Sequence, residues 1–284
     1  MNLYVSLSQF KGTGVLDATG TANDTRLLQV LDDVSRQVEG YCGRRFYALV
    51  ETRHFSGDGG QALRVPDLIS IGTLLEDNND DGTAELAWAA ADYHLWPWNA
   101  APTSEWGGPY TQVRVAQNSA GTQDAFLRGQ RNYQIDGTWG YSLATADTGA
   151  TGTLADATGT ALPVSLMGTF SVGQTVRIGT ESLYITSTGA GGTGAGTLSV
   201  RRGANGSTAA AATGTGHVVY DIVYPGPVVE AVIVQAARLW KRKDSAFAAT
   251  VGMPETGQML TWRGGLDADV KALLNAGRLK RTVI

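Results

Sequence analysis

The sequence predicts an α+β chain: a small helical core with a short antiparallel sheet, interrupted by an inserted all-β domain. Three observations predict it. Residues 23–43 carry apolar side chains at helical spacing, and residues 46–141 break into short runs bounded by Gly, Pro, Asn and Asp. Residues 142–221 then turn Gly- and Thr-rich around further strand-like runs, before a second strongly apolar helix begins.

In order along the chain, Leu27, Leu31, Val34, Val38 and Tyr41 lie four and three residues apart, which is one face of a helix. Asn23 or Asp24 can cap its start and Gly43 its end. The runs YALVETRHF, ALRVP, LISIGTLLE, TAELAWAAADYHLW, TQVRV and YQIDGTW read as strands of a small sheet beside that helix. Between Ser142 and Tyr220, VGQTVRIG, SLYITS, TLSVRR and HVVYDIVY read as strands set among the Thr/Gly/Ala-rich stretches DTGATGTLADATGTA and STGAGGTGAGT.

Pro227 opens the next helix, VVEAVIVQAARLWKRKDS. Glu230, Gln235, Arg238, Lys241 and Arg242 share one stripe of it and nearly all the rest is apolar. So wide an apolar face predicts packing on more than one side, inside one subunit or partly against a neighbour. A loop with Gly252, Pro254 and Gly257 leads to a last helix near Asp267 to Arg281, whose narrow apolar face is Val270, Leu273 and Leu274.

With 284 residues and 43% hydrophobic content, the chain can build a real core. The net charge of -4 gives the whole molecule no electrostatic claim on nucleic acid or anionic lipid. Its distribution is uneven: residues 226–284 hold nine Lys/Arg against five Asp/Glu, so the C-terminal end is the basic one. A single cysteine, Cys42, leaves no internal disulfide and no Cys-rich zinc site, which fits a reducing cytosol. The first residues, MNLYVSLSQFKG, lack a signal-peptide pattern, and no run of 18 apolar residues occurs, so the chain is expected to be neither secreted nor membrane-spanning.

Motifs that would carry chemistry are incomplete. In DNNDDG, Asp77, Asn79, Asp81 and Gly82 match the opening of a calcium loop, but Trp88 stands where the bidentate Glu belongs, so a hairpin turn is expected and no metal. Gly189, Gly191 and Gly194 have dinucleotide-loop spacing, yet a strand follows where a helix would have to bind the pyrophosphate. His54, His94 and His217 are scattered without zinc spacing, and the pairs Asp32-Asp33 and Asp80-Asp81 are adjacent in sequence and so spread over solvent. No catalytic constellation is found and no cofactor is expected, so the chain reads as a non-enzyme.

VEGYCGRRFY after an amphipathic helix, VPDLISIGTLLED, ADYHLWPWNA, IDGTWGYS, a Pro-led helix ending AARLWKRKDSAF and a short DADVKALL helix with a basic end follow one another in the chain. That order resembles the head-tail connector (adaptor, or head-completion) proteins of long-tailed bacteriophages. The resemblance covers roughly residues 1–141 and 222–284, which it implies form a connector core. Residues 142–221, inserted where simpler members connect directly, resemble small β-modules of other phage structural proteins. The family implies a structural protein of the virion's head-tail junction, assembled in the host cytoplasm into a ring, usually dodecameric. Its partners would be the portal protein, a tail-completion or stopper protein and further copies of itself, with DNA only as passing cargo and no membrane. An acidic balance suits a channel through which DNA must slide.

Within that reading, Leu273, Leu274, Arg278, Lys280, Arg281 and Ile284 are candidates for binding the portal. Trp240, Arg242, Phe247, Trp262, Leu27 and Leu31 are candidates for the subunit interface, since a ring needs two different complementary patches on each copy. The basic C-terminal helix ends leave a DNA-binding module open as the alternative, which a steep salt dependence would reveal. A cell-wall or capsule hydrolase stands third and requires a converged pair of carboxylates.

Overall fold

The structure, a computed structural model, describes residues 2–14, 20–105, 107–117, 121–189, 192–242, 250–253, 258–261 and 265–281. It corrects the expected α+β class: the chain is mostly β, with a large open sheet and a closed barrel, and is not a small helical core with a β insert. Among the described residues the helices are α1 (Leu7–Gly12), α2 (Asp24–Cys42), α3 (Gly226–Lys241) and α4 (Ala268–Ala276).

The open sheet is far from short. Its strands are β1 (Leu49–Phe55), β2 (Ala62–Glu76), β3 (Leu86–Ala87), β4 (Tyr93–Trp96), β5 (Tyr110–Val115) and β6 (Tyr133–Trp139). They lie in the order β1-β6-β2-β5-β4, with β3 beside β2, and every pair is antiparallel. The two runs ALRVP and LISIGTLLE form one strand of 15 residues, because Pro66 falls where the pairing with β5 shifts register between Arg64 and Leu68. A proline's missing N–H is tolerated at such a break in the ladder. TAELAWAAADYHLW divides instead, into β3 and β4.

The barrel is built from β7 (Ala144–Leu154), β8 (Ala161–Val164), β9 (Thr175–Ile178), β10 (Glu181–Ser187), β11 (Gly196–Ala204) and β12 (Ala212–Val223). The order β10-β11-β8-β7-β12-β9 closes on itself through β9 and β10. Much of DTGATGTLADATGTA, read from the sequence as a Gly/Thr/Ala-rich stretch, is strand in β7 and the start of β8. A narrow barrel needs small side chains inside: a Cβ on Gly152 would stand 3.0 Å from Leu162, 3.1 Å from Val219 and 3.3 Å from Ile178. A two-stranded ribbon, β13 (Thr250–Met253) with β14 (Gln258–Thr261), completes the strands.

Three apolar clusters hold the molecule together. One fills the barrel, around Leu154, Leu162, Val176, Leu183, Leu198 and Val219. A second lies in the open sheet, where Trp88 stacks on Phe126 with ring centroids 4.7 Å apart and Leu68, Ile135 and Trp139 are buried. The third joins the helices: Leu27, Leu31, Val34 and Val38 of α2, Val228, Val232 and Ala236 of α3, and Val270 and Leu274 of α4. Val229, Ile233, Val234 and Leu239, the surplus apolar residues of α3, pack half-buried against that same cluster. The wide apolar face is therefore largely covered within the chain.

Caps fix the helix ends. Ser6 and Gln9 cap α1 reciprocally, and α2 ends on Gly43 at φ 65°, whose N–H donates to the Glu39 carbonyl at 2.8 Å. The barrel is tied to the rest by Asn2 and Asn205, whose side-chain amides bond each other in both directions at 2.7 and 3.0 Å. Val50 of β1 adds its N–H to the Asn205 carbonyl at 2.9 Å.

Candidate functional site

The cross-strand register places one set of residues at each end of the open sheet. Leu49 of β1 and Leu68 of β2 both pair with Trp139 of β6, which marks one end. Phe55 and Glu76 both pair with Tyr133, which marks the other. An arginine cluster lies at the first end and an acidic turn at the second.

At the Trp139 end, the C-terminus of α2 runs straight into Arg44 and Arg45, and Arg53 of β1 reaches the same place. Arg281 joins them from the far end of the sequence, held by its backbone N–H on the Cys42 carbonyl at 2.7 Å. These four side chains line a cavity of about 350 Å³ floored by Asp67, Trp139 and Gly140. Aromatic rings brace two of the guanidiniums: Arg53 lies 4.4 Å over the Trp139 ring and Arg44 5.3 Å over Tyr141. Bracing lowers the entropy lost when an anion is gripped.

Asp67 is 5% exposed, and neither of its carboxylate oxygens has a hydrogen-bond partner; its nearest cation is Arg44, with Nε 3.4 Å from Oδ2. Burial pushes its carboxyl above the usual carboxylate range, against the pull of Arg44, Arg281 and Arg53. A carboxyl raised in the folded state binds more protons there than when unfolded, so it penalises folding once ionised. Asp67→Asn is therefore expected to leave stability near about pH 7 unchanged or higher by ~1 kcal/mol. The difference from wild type should shrink as pH falls through the raised pKa towards the unfolded value. Urea melts across that acid range would check it.

Four guanidiniums against the carboxylates of Asp67 and Glu51 leave the cavity positive. Guanidinium forks match carboxylate or phosphate. The charged groups lining it are these guanidiniums and two carboxylates, an arrangement suited to gripping an anion. The thiol of Cys42, close by, is buried and pushed up to about 11, which keeps it protonated.

At the Tyr133 end, residues 77–85 form an acidic turn. Asp77 is buried and its two oxygens accept from the N–H groups of Asp81 at 3.2 Å and Gly82 at 2.8 Å. One carboxylate oxygen each of Asp77, Asp81 and Glu85 lies within 4.8 Å of the others. Among the described residues none of these three, nor Asp80, takes part in an ion pair. Trp88, at the position a calcium loop would give to Glu, is buried with its indole N–H on Glu76 at 2.7 Å.

The residues singled out in the sequence do not converge. Leu27, Leu31 and Leu274 are wholly buried and Trp240 is 7% exposed, all in the chain's own helical cluster, so they are not surface available to another subunit or to a portal. Leu273 packs half-buried on the same cluster, and α4 docks on α3. Arg242 is half-buried and lines a separate cleft with Gln37 and Gly265. Arg278 is exposed at φ 52°, and the Lys280 ammonium sits 5.1 Å over the Tyr41 ring. Arg281 alone reaches the arginine cavity. Phe247, Trp262 and Ile284 lie outside the described residues. The basic end of α3 is partly neutralised, since Arg238 pairs with Asp267 and Asp269.

What sequence reasoning missed is the group Arg44, Arg45, Arg53 and Asp67. The signal available was the pair of arginines straight after a helix-ending glycine, GRR at residues 43–45. No known protein-family model matches this chain, and no curated protein matches it.

Proposed function

We propose that this chain is a structural protein that assembles head-to-tail with copies of itself into a ring, acting as the adaptor between portal and tail in a tailed bacteriophage. The observation that carries the assembly reading is the pair of oppositely charged patches at the two ends of the open sheet. One patch is the arginine cavity at the Trp139 end and the other is the acidic turn at the Tyr133 end. A contact between two unlike patches is heterologous, and such contacts build rings when their rotation closes.

The adaptor reading adds the order of sequence segments described above. It is supported by the way the segments at both ends of the chain, in α2, α3 and α4, share one apolar cluster although the barrel lies between them. On this reading the partners are the portal, a tail-completion or stopper protein and neighbouring copies, and DNA passes through without being held. The chain performs no reaction.

Electron microscopy of the purified chain with and without portal complexes from the same virus tests the proposal. A ring seated on the portal is the expected result. Virions whose head-tail junction lacks this chain would overturn the adaptor assignment.

A further inference from the structure

We infer that the arginine cavity receives the acidic turn at residues 77–85 of a second copy of this chain. The inference rests on the ring reading above and names the contact that makes the ring. Within one molecule the two features cannot meet: β6, seven residues long, separates them, and at ~3.3 Å per residue the ends of the sheet stand roughly 20 Å apart. The sheet between them is rigidly paired on both sides of β6 by β1 and β2.

The turn carries no cation, and the cavity holds four guanidiniums against two carboxylates. Three carboxylates lying within 4.8 Å of one another repel, and Asp77 is fixed in place by two backbone N–H groups. The cavity presents Arg45 exposed and Arg281 half-buried, and among the described residues neither has a carboxylate within ion-pairing distance. A volume of about 350 Å³ has room for carboxylate side chains between those guanidiniums. A carboxylate in that position accepts bidentate hydrogen bonds from arginine, which adds orientation as well as attraction. Orientation is what a closing ring demands of each joint.

Charge reversal in two halves tests it. One variant carries Arg45→Glu with Arg53→Glu, so that its cavity and its turn are both acidic. The other carries Asp80→Lys, Asp81→Lys and Glu85→Lys, which leaves three lysines against Asp77 in the turn, so that both are basic. Sedimentation velocity at low salt is expected to show self-association of the wild-type chain, a loss of about tenfold or more for each variant alone, and recovery when the two variants are mixed. Raised salt should weaken the wild-type association.

Circular dichroism and melting curves check that both variants fold. Arg45→Glu alone, at an exposed position, serves if the double cavity variant does not. Variants that associate like wild type overturn this contact while leaving ring formation intact. A wild-type chain that stays monomeric at low salt also overturns it, and portal binding then decides the adaptor reading separately. Duplex DNA bound with a steep salt dependence that Arg45→Glu removes would make the cavity a phosphate site and equally overturn the inference.

Discussion

Glu181→Ala is expected to destabilise the protein by about 3–5 kcal/mol, the scale for breaking a buried ion pair from one side. Glu181 opens β10 with a side chain 2% exposed, and Arg202 of β11 faces it with 8%. The pair is bidentate: Arg202 Nε donates to Oε1 and Nη2 to Oε2, each at 2.8 Å. The same carboxylate accepts the backbone N–H of Gly203 at 2.9 Å and of Ala210 at 3.1 Å. Arg202 in turn donates to the carbonyls of Asp156, Gly159 and Ala210. Alanine would leave a buried guanidinium without its counter-charge and two amides without their acceptor, and urea unfolding followed by circular dichroism would read the loss.

This pair also sets a pH dependence. Burial alone would raise the Glu181 carboxyl, but the hydrogen bonds from Arg202, Gly203 and Ala210 outweigh it and hold the group below its usual range. A folded pKa below the unfolded one gives stability that is present above the unfolded value and is lost as pH falls through the folded value. The wild-type barrel should therefore weaken in acid below the ordinary glutamate pKa. Glu181→Ala should lack that part of the slope. Replacing both partners with apolar residues of similar size should cost less than Glu181→Ala, because no charge is then left unpaired.

The second large effect is expected at Gly140. Its φ is 136°, and an added Cβ would stand 2.1 Å from the Tyr47 carbonyl oxygen and 3.0 Å from its carbon, both backbone atoms that cannot swing away. Gly140→Ala should cost roughly 2–6 kcal/mol from strain and overpacking combined. The Gly140 N–H holds the Asp67 carbonyl at 2.9 Å, so the floor of the arginine cavity should distort as well. Gly59→Ala is the matched control: its φ is 89° but nothing lies within 4 Å of the added atom, so only the strain of about 1–3 kcal/mol remains. Equal losses at the two positions would show that the contact with Tyr47 is not decisive.

The helices were the most legible part of the chain. Leu27, Leu31, Val34 and Val38 repeat with the helical period, and Pro227 and Gly43 mark ends that local sterics enforce. Strands that pack small residues were harder to see. In β7, Ala150 and Gly152 face a crowded barrel interior, so alternation of large apolar and polar residues is missing where a strand runs. Pro66 read as a strand end because a proline usually stops a ladder, yet it sits where β2 changes partners. Strands of this kind, added to the long β2, are what make the chain mostly β.

The site was less legible than the fold. Arg44 and Arg45 are neighbours in sequence, but Asp67, Trp139 and Arg281 reach them only through strand pairing and the return of the C-terminal segment. No local pattern encodes that convergence. Trp240, Leu27 and Leu31 misled for the opposite reason: a large apolar side chain reads alike whether it meets another subunit or its own core. Their burial in the cluster shared by α2, α3 and α4 is set by tertiary packing alone.

Ala144 at the start of β7 pairs with Val223 at the end of β12. In an antiparallel ladder such partners stand roughly 5 Å apart. The barrel, which has its own apolar interior, thus returns the polypeptide almost to where it departed. During synthesis this shortens the search that α3 must make for α2, since a finished barrel replaces a long flexible excursion with a gap one peptide wide. Translation order works in the same direction, because all six barrel strands leave the ribosome before α3 does.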